Sequence, residues 1–213
     1  MTTQLRDLRS PGWPPNPPIV ALFLHGYGAD EHDLPGLAPS LGLRVPWASL
    51  RGPLGVGNGA AWFALTTPGN PDPTVVGAAT DVVWEWVDAH LGADTLIVPI
   101  GFSQGGLMAT QLLRTRPERV LAPVVLAGFV LGAPQPGDDF LADNRPAVFW
   151  GRGAEDRVIA APAVSRTDSW LPLHTSLTKR VYPGLGHGIH AAEMVDVRDF
   201  LAQHGGVGHG GQP

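Results

Sequence analysis

The stretch Gly101-Phe102-Ser103-Gln104-Gly105 places a serine where a chain needs one to act as a nucleophile. An apolar run at 97–100 precedes it, and residues 106–113 continue with the apolar face of a helix. The pattern predicts a buried strand, a sharp turn and a helix, with the serine hydroxyl standing free at the end of the strand. The two flanking glycines would let the strand and helix cross closely, where any Cβ would collide. The N-terminus of that helix would favour developing negative charge beside the serine.

The motif alone has a second interpretation, because glycine makes up 28 of the 213 residues and an ordinary glycine-rich turn could contain it by chance. A serine hydroxyl is also a poor nucleophile until a neighbouring base takes its proton, and that base needs an anion to hold and stabilise it. The interpretation therefore depends on whether the chain can bring a base and an acid to Ser103.

Apolar runs and helical spacing alternate along the chain. Strands are predicted at 19–24, 47–50, 97–100, 120–127, 147–150 and 179–182, and helices at 33–41, 75–91, 106–113, 162–173 and 190–203. Residues 51–73, rich in glycine and proline, are predicted to form a long loop. This alternation predicts an α/β fold with a mostly parallel sheet and helices on both faces, in which sites form at the carboxyl ends of strands. We expect an extended lead-in over 1–18, one domain over 19–203 and a flexible glycine-rich tail over 204–213.

Two later strand ends present partners for Ser103. The strand at 147–150 leads into a loop that carries Asp156, and the strand at 179–182 leads into a loop in which His187 stands between glycines. Serine, then aspartate, then histidine is the order expected when the nucleophile lies on a central strand of this topology. Asp156 could instead be a turn or helix-capping residue, and His187 an ordinary loop histidine. Other candidates, whose positions fit less well, are Glu155, Asp168 and His190.

Acyl transfer also needs donors for the negative charge on the carbonyl oxygen, and backbone amides aimed there contribute roughly 3–4 kcal/mol each. We expect one amide from Gln104 and the other from the loop 25–28, at Tyr27. His25 itself is interpreted as a residue that holds this loop rather than as a base. For the acyl group the candidate pocket residues, which could equally be core residues, are Trp62, Phe63 and Leu65.

Composition excludes several other classes of protein. The net charge of −5 and the lack of a lysine or arginine cluster argue against nucleic acid as a partner. The absence of cysteine excludes disulfides, thiolate metal sites and a cysteine nucleophile. His187 and His190 are three residues apart, but Glu193 is the one carboxylate beside them, so we expect no metal and no cofactor.

The same sequence indicates where the protein resides and how it assembles. No apolar run reaches the roughly 18 residues that a membrane span needs, and the first residues lack the apolar core of a signal peptide, so we expect a cytoplasmic protein. Trp13 and Trp47 are candidates for a contact surface, which leaves a homodimer as one assembly to consider.

Taken together, these motifs resemble the α/β-hydrolase fold and, within it, the phospholipase/carboxylesterase family that includes acyl-protein thioesterases. The matching segments are 24–30, 51–53, 61–63, 101–106, 153–158 and 186–187. The resemblance spans residues 19–203 and implies a serine carboxylic-ester hydrolase. It implies Ser103, Asp156 and His187 as the catalytic triad, and the amides of Tyr27 and Gln104 as the oxyanion-hole donors.

The chain also departs from the thioesterase members of that family. Those members carry a longer hydrophobic acyl-binding loop, whereas residues 51–73 hold little aliphatic surface, and the chain has no room for a separate lid domain. Small esters should therefore reach Ser103, and we expect hydrolysis of short- to medium-chain carboxylic esters. A thioesterase or lysophospholipase would use the same triad, because these enzymes share the acyl-enzyme step. A more remote alternative is a non-catalytic binding protein on a hydrolase scaffold.

Overall fold

Seven of nine strands form the central sheet of the computed structural model, which describes residues 5–206. The strands are β1 (Asp7–Arg9), β2 (Ile19–Leu24), β3 (Trp47–Leu50), β4 (Leu54–Val56), β5 (Gly59–Ala61), β6 (Leu96–Phe102), β7 (Val124–Leu126), β8 (Ala147–Gly153) and β9 (Ser176–Tyr182). The order in the sheet is β1-β3-β2-β6-β7-β8-β9, while β4 and β5 form a separate hairpin. Only β1 runs antiparallel to its neighbour in the central sheet. The predicted, mostly parallel sheet is therefore confirmed.

Helices cover both faces of this sheet. They are α1 (Pro73–His90), α2 (Gln104–Thr115), α3 (Asp138–Asn144), α4 (Ala161–His174) and α5 (Ala191–His204). On β2 the side chains alternate between two cores, because successive residues of a strand point to opposite faces. Leu22 packs into the core shared with α1, α2 and α4, and Phe23 packs into the core shared with α5. This is the predicted two-faced α/β architecture.

Residues 5–206 contain no separate lid domain above the carboxyl ends of the strands. No helix in this part of the chain combines the length and the hydropathy that a bilayer-crossing segment requires.

The prediction of a helix at 33–41 is wrong. The segment contains only one turn of 3-10 helix, from Pro35 to Leu37, followed by further turns. Its apolar residues Leu34, Ala38 and Leu41 are buried as a helical stripe would be. However, Pro39 has no N–H to donate, and in a regular helix its ring would clash with the carbonyl group four residues earlier. The chain therefore buries these side chains from a series of turns.

Other element boundaries also differ from the predictions. The strand predicted at 120–127 is confined to β7, because Pro123 has no N–H for the ladder and Ala122 has a positive φ of 44°. The predicted loop at 51–73 contains the β4–β5 hairpin. The strand β1 and the short helix α3 were not predicted. The predicted tail lies outside the described residues from residue 207 onward, and His204 ends α5.

Helix α5 begins with a buried carboxyl group. Glu193 is fully buried, and one of its oxygens, Oε2, accepts the N–H of His190 at 3.4 Å in a capping box. Within the described part of the chain, its other oxygen has no hydrogen-bond partner. It lies against Gly151, where an added Cβ would come within 2.1 Å of it. Burial raises the pKa of Glu193 from 4.5 to about 7, and the charge of Asp196 adds to the shift.

We expect Glu193→Gln to stabilise the protein relative to the wild type as the pH rises. Glu193 has a higher pKa in the folded protein than in the unfolded chain. Its protonated form therefore makes its full contribution to the free energy of unfolding below pH 4.5, and this contribution is lost as the pH rises from 4.5 through about 7. At about 1.4 kcal/mol per pKa unit, the wild type should lose up to about 3 kcal/mol relative to the variant across this window. Urea unfolding of both proteins at several pH values measures the difference. The exposed substitution Glu85→Gln is the control, and a pH-independent difference would contradict the prediction.

Candidate active site

Ser103 lies in the sharp turn between β6 and α2. Its φ of 54° and ψ of −113° lie where a non-glycine residue is strained, and its N–H donates to the carbonyl oxygen of Leu126 at 2.8 Å. The turn requires glycine on both sides of the serine. A Cβ at Gly101 would lie 2.0 Å from the oxygen of Gly105, and one at Gly105 would lie 1.9 Å from the oxygen of Leu24. The motif therefore forms the predicted strand–turn–helix.

His187 brings Ser103 and Asp156 into one line of hydrogen bonds. Its Nε2 lies 2.8 Å from the Oγ of Ser103, and its Nδ1 lies 2.8 Å from Oδ2 of Asp156. When Asp156 is ionised, Nδ1 carries the hydrogen and donates it to the carboxylate, which leaves Nε2 free to accept from the serine hydroxyl. Three residues far apart in the sequence thus meet at the carboxyl ends of β6, β8 and β9.

The Asp156 carboxylate is held as an anion. Burial alone would raise its pKa, but hydrogen bonds from His187 and from the backbone N–H groups of Ile159 and Val158 outweigh that effect and keep the pKa below its ordinary value. The two backbone bonds to Oδ1 measure 3.2 Å from Ile159 and 2.9 Å from Val158. Oδ2 is left to face the imidazole.

The loop that carries His187 is fixed to the loop that carries Asp156. The N–H of Glu155 donates to the carbonyl oxygen of Leu185 at 2.9 Å. Gly153 allows this approach, because a Cβ there would lie 2.1 Å from the same oxygen. The imidazole also packs on the ring of Phe102, with ring centroids 5.0 Å apart. These contacts define the position of the imidazole beside the serine.

Two backbone amides predicted as donors lie at the same place. Tyr27 belongs to the loop after β2, and Gln104 is the first residue of α2. Among residues 5–206, no carbonyl or side-chain oxygen accepts a hydrogen bond from the N–H of either residue. Both residues line the cavity that contains Ser103. The two N–H groups are thus available to an oxygen bound there.

Buried side chains fix the loops that supply these amides. Nε2 of His25 accepts the N–H of Gly52 at 2.9 Å, and its carbonyl oxygen accepts the indole N–H of Trp62 at 2.9 Å. His25 therefore holds the loop, as interpreted from the sequence, and burial lowers its pKa so that the neutral ring is favoured. The side-chain amide of Gln104 accepts from the N–H of Trp62 at 2.9 Å and donates to the oxygen of Phe63 at 2.7 Å.

A cavity of about 630 Å³ opens over Ser103 and His187. Phe63 and Leu65, two of the candidate pocket residues, line it together with the apolar side chains of Phe129, Val158 and Ile159. The segment that follows Leu65 also belongs to the wall. It is held where Arg166 of α4 donates to the carbonyl oxygen of Gly69. The cavity is large enough for a small organic substrate.

Comparison with known proteins identifies the relatives of this chain. The family model described as Phospholipase/Carboxylesterase matches residues 14–205, which is nearly the whole chain. The chain belongs to the phospholipase/carboxylesterase family. A search of curated proteins gives no match.

Solved structures similar to this family member share its fold. A carboxylesterase from Mesorhizobium loti is 24% identical, with a TM-score of 0.74 over 86% of this chain and 88% of that one. A carboxylesterase from Bacillus cereus is 19% identical, with a TM-score of 0.78 over 93% and 94%. A variant of SOBER1 from Arabidopsis thaliana is 21% identical, with a TM-score of 0.72 over 86% and 98%. At these identities the likeness shows a common α/β-hydrolase fold.

Not every candidate named from the sequence lies at the site of this family member. Trp62 does not line the cavity. Its ring is buried and packs beside His25, so that it stabilises the loop after β2. Of the alternatives to Asp156, Glu155 is exposed and Asp168 pairs with Lys179. His190 caps α5 through its own side chain. Trp13 and Trp47, the candidates for a contact surface, are both half-buried, and they lie far from these residues in the sequence.

Sequence reasoning missed much of the cavity wall, including three apolar side chains and one acidic one. Val158 and Ile159 come shortly after Asp156 in the loop at the end of β8, and their apolar character was the signal that could have indicated them. Phe129 follows the end of β7, and Asp33 follows the loop of Tyr27. Nothing in the pattern around Asp33 distinguished it from the neighbouring acidic residues Asp30 and Glu31.

Proposed function

We propose that this protein is a serine carboxylesterase that hydrolyses short- to medium-chain carboxylic esters through an acyl-enzyme. The observation that carries the proposal is the pair of 2.8 Å hydrogen bonds from Ser103 to His187 and from His187 to Asp156. A serine, an imidazole and a carboxylate in this arrangement form the constellation that activates a hydroxyl for attack on a carbonyl carbon.

The chemistry proceeds in two halves. Oγ of Ser103 forms a bond to the ester carbonyl carbon while Nε2 of His187 takes the hydroxyl proton. The bond from that carbon to the alcohol oxygen then breaks, and the imidazolium gives the proton to the departing alcohol. Water repeats the attack on the acyl-enzyme, with His187 again taking the proton, and the acid leaves as Ser103 regains its hydrogen. Asp156 orients the ring and stabilises its cation in both halves.

The negative charge of each tetrahedral intermediate falls on the former carbonyl oxygen. The N–H groups of Tyr27 and Gln104, which have no acceptor within residues 5–206, are our proposed donors to it. Donors that are already in position need no rearrangement when the charge develops, so their contribution is largest in the transition state. The start of α2 beside Ser103 adds the favourable end of a helix dipole.

The cavity wall supports an acyl group of limited length. Phe63, Leu65, Phe129 and Ile159 offer apolar surface beside the nucleophile, and this surface suits a short or medium hydrocarbon chain. A thioester or a lysophospholipid would pass through the same acyl-enzyme, so the triad does not distinguish these substrates from simple esters. The size of the acyl group and the nature of the leaving group are therefore the quantities to measure.

A substrate panel tests the proposal directly. We expect kcat/KM for p-nitrophenyl butyrate and octanoate to exceed the values for the palmitate ester, an acyl-CoA and a lysophospholipid. A fluorophosphonate probe should label the purified protein at Ser103, as located by peptide mass spectrometry. A larger kcat/KM for acyl-CoA or lysophospholipid would assign the alternative substrate. The absence of label and of turnover would instead favour a binding protein on this scaffold.

A further inference from the structure

The cavity over Ser103 contains one acidic side chain. Asp33 lines it, and no lysine or arginine belongs to its wall among residues 5–206. Within that part of the chain, the Asp33 carboxylate neither accepts a hydrogen bond nor forms a salt bridge. Arg51, which follows β3, is bound instead to the neighbouring carboxylates, to Glu31 at 2.9 Å and to Asp30 at 3.3 Å. Asp33 thus has no counter-charge of its own.

The surroundings of Asp33 make this charge available to a ligand. Asp33 is exposed to solvent at the cavity. Partial desolvation of its carboxyl group raises the pKa of Asp33, and the neighbouring charge of Asp30 acts in the same direction, while His25 opposes both. A carboxylate without a partner at the edge of a cavity attracts a cation that binds beside it. The same anion repels a negatively charged substrate, and no lysine or arginine from the described part of the chain lines the cavity to offset that repulsion.

Besides the Asp33 carboxylate, the cavity offers aromatic rings that can attract a cation. Tyr27 lies on the same loop as Asp33 and is 45% exposed, and the rings of Phe63, Phe102 and Phe129 also line the cavity. The faces of such rings attract ammonium groups, and quaternary ammonium ions are bound in proteins by aromatic side chains of this kind. The cavity therefore combines a carboxylate that has no partner among residues 5–206 with the exposed ring of Tyr27 and further aromatic residues in its wall.

From these features we infer that the cavity selects esters that carry a positive charge on the alcohol group, with Asp33 as a specificity-determining residue. The inference rests on the proposed esterase function and names its substrate class. A quaternary ammonium alcohol would place its charge near Asp33 and Tyr27 while the carbonyl carbon lies at Ser103. Neutral esters would be accepted less well, and esters with an anionic group would be accepted least.

A pair of isosteric substrates tests this inference. Butyrylcholine and 3,3-dimethylbutyl butyrate differ mainly in the replacement of the ammonium nitrogen by carbon, so the ratio of their kcat/KM values isolates the charge. Acid release in a pH-stat at low ionic strength measures both. We expect the ratio to favour the cation in the wild type and to fall about fivefold in Asp33→Asn, as for a partly exposed charge pair.

The control is Asp94→Asn, which removes one negative charge at the opposite end of the sheet. Asp94 is exposed and precedes β6, whereas Ser103 follows it, so the ratio should not change. If Asp33→Asn does not fold, wild-type rates for the cationic, the neutral and a hemisuccinate ester, in that expected order, decide the question. Hydrolysis of both isosteres at equal kcat/KM would overturn the inference alone. Failure to hydrolyse any of them would overturn the esterase proposal as well.

Discussion

Ser103→Ala should abolish ester hydrolysis, with kcat/KM reduced by about 10⁴-fold or more, as when the nucleophile of a serine hydrolase is removed. The methyl group cannot form the acyl-enzyme, and His187 then has no hydroxyl to deprotonate. The fold should be retained, because the serine side chain caps no helix and its backbone N–H still donates to Leu126. Hydrolysis of p-nitrophenyl butyrate and the thermal unfolding temperature measure the two effects.

Ser169→Ala is the matched control, since Ser169 is exposed on α4 and bonds only to the backbone of Ser165. It should leave turnover unchanged. Wild-type turnover in a pure sample of Ser103→Ala would refute the assignment of the nucleophile. Loss of turnover accompanied by unfolding would call for the fluorophosphonate experiment on the wild type, which does not depend on the variant.

Asp156→Asn should lower kcat by about 10⁴-fold with little change in KM. The asparagine oxygen can still accept the N–H groups of Val158 and Ile159 that now bind Oδ1. Its NH₂ group then faces Nδ1 of His187 and donates to it, so the ring hydrogen moves to Nε2. In that tautomer the imidazole cannot take the proton of Ser103. Steady-state kinetics on p-nitrophenyl butyrate separate the effect on kcat from that on KM.

Glu155→Gln provides the comparison for Asp156→Asn, because Glu155 is the adjacent carboxylate and is exposed. We expect kcat within about twofold of the wild-type value, as for a surface substitution. An Asp156→Asn enzyme with unaltered kcat would show that another group holds the imidazole.

The elements that position the candidate site were the ones predictable from the sequence. Strand β2 is a continuous apolar run buried on both faces, and its bounds, Ile19–Leu24, agree with the prediction. The turn at Ser103 follows from glycines that no other residue could replace, since Leu24 and Gly105 leave no space for a Cβ. Asp156 and His187 were predicted because they follow strands, and the parallel sheet brings the ends of those strands together.

What the sequence did not reveal depends on contacts between distant segments. Residues 33–41 carry a helical apolar pattern, yet Pro39 prevents a regular helix. Trp62 appeared suitable for an acyl pocket, but its indole N–H is bound by the oxygen of His25, 37 residues away. The cavity position of Asp33 depends on the fold of its loop against the hairpin, where Gly28 donates to Ala60. No local pattern records such pairings.

The side-chain amide of Gln104 allows part of the cavity wall to vary independently of the nucleophile. It fastens the backbone at 62–63 to the start of α2, and Arg166 fastens Gly69, so the wall between these points is anchored at both ends. Residues 64–68 form a short exchangeable span whose side chains can vary while the nucleophile keeps its place. Diversification of acyl preference, in nature or by directed evolution, should therefore concentrate in these five positions.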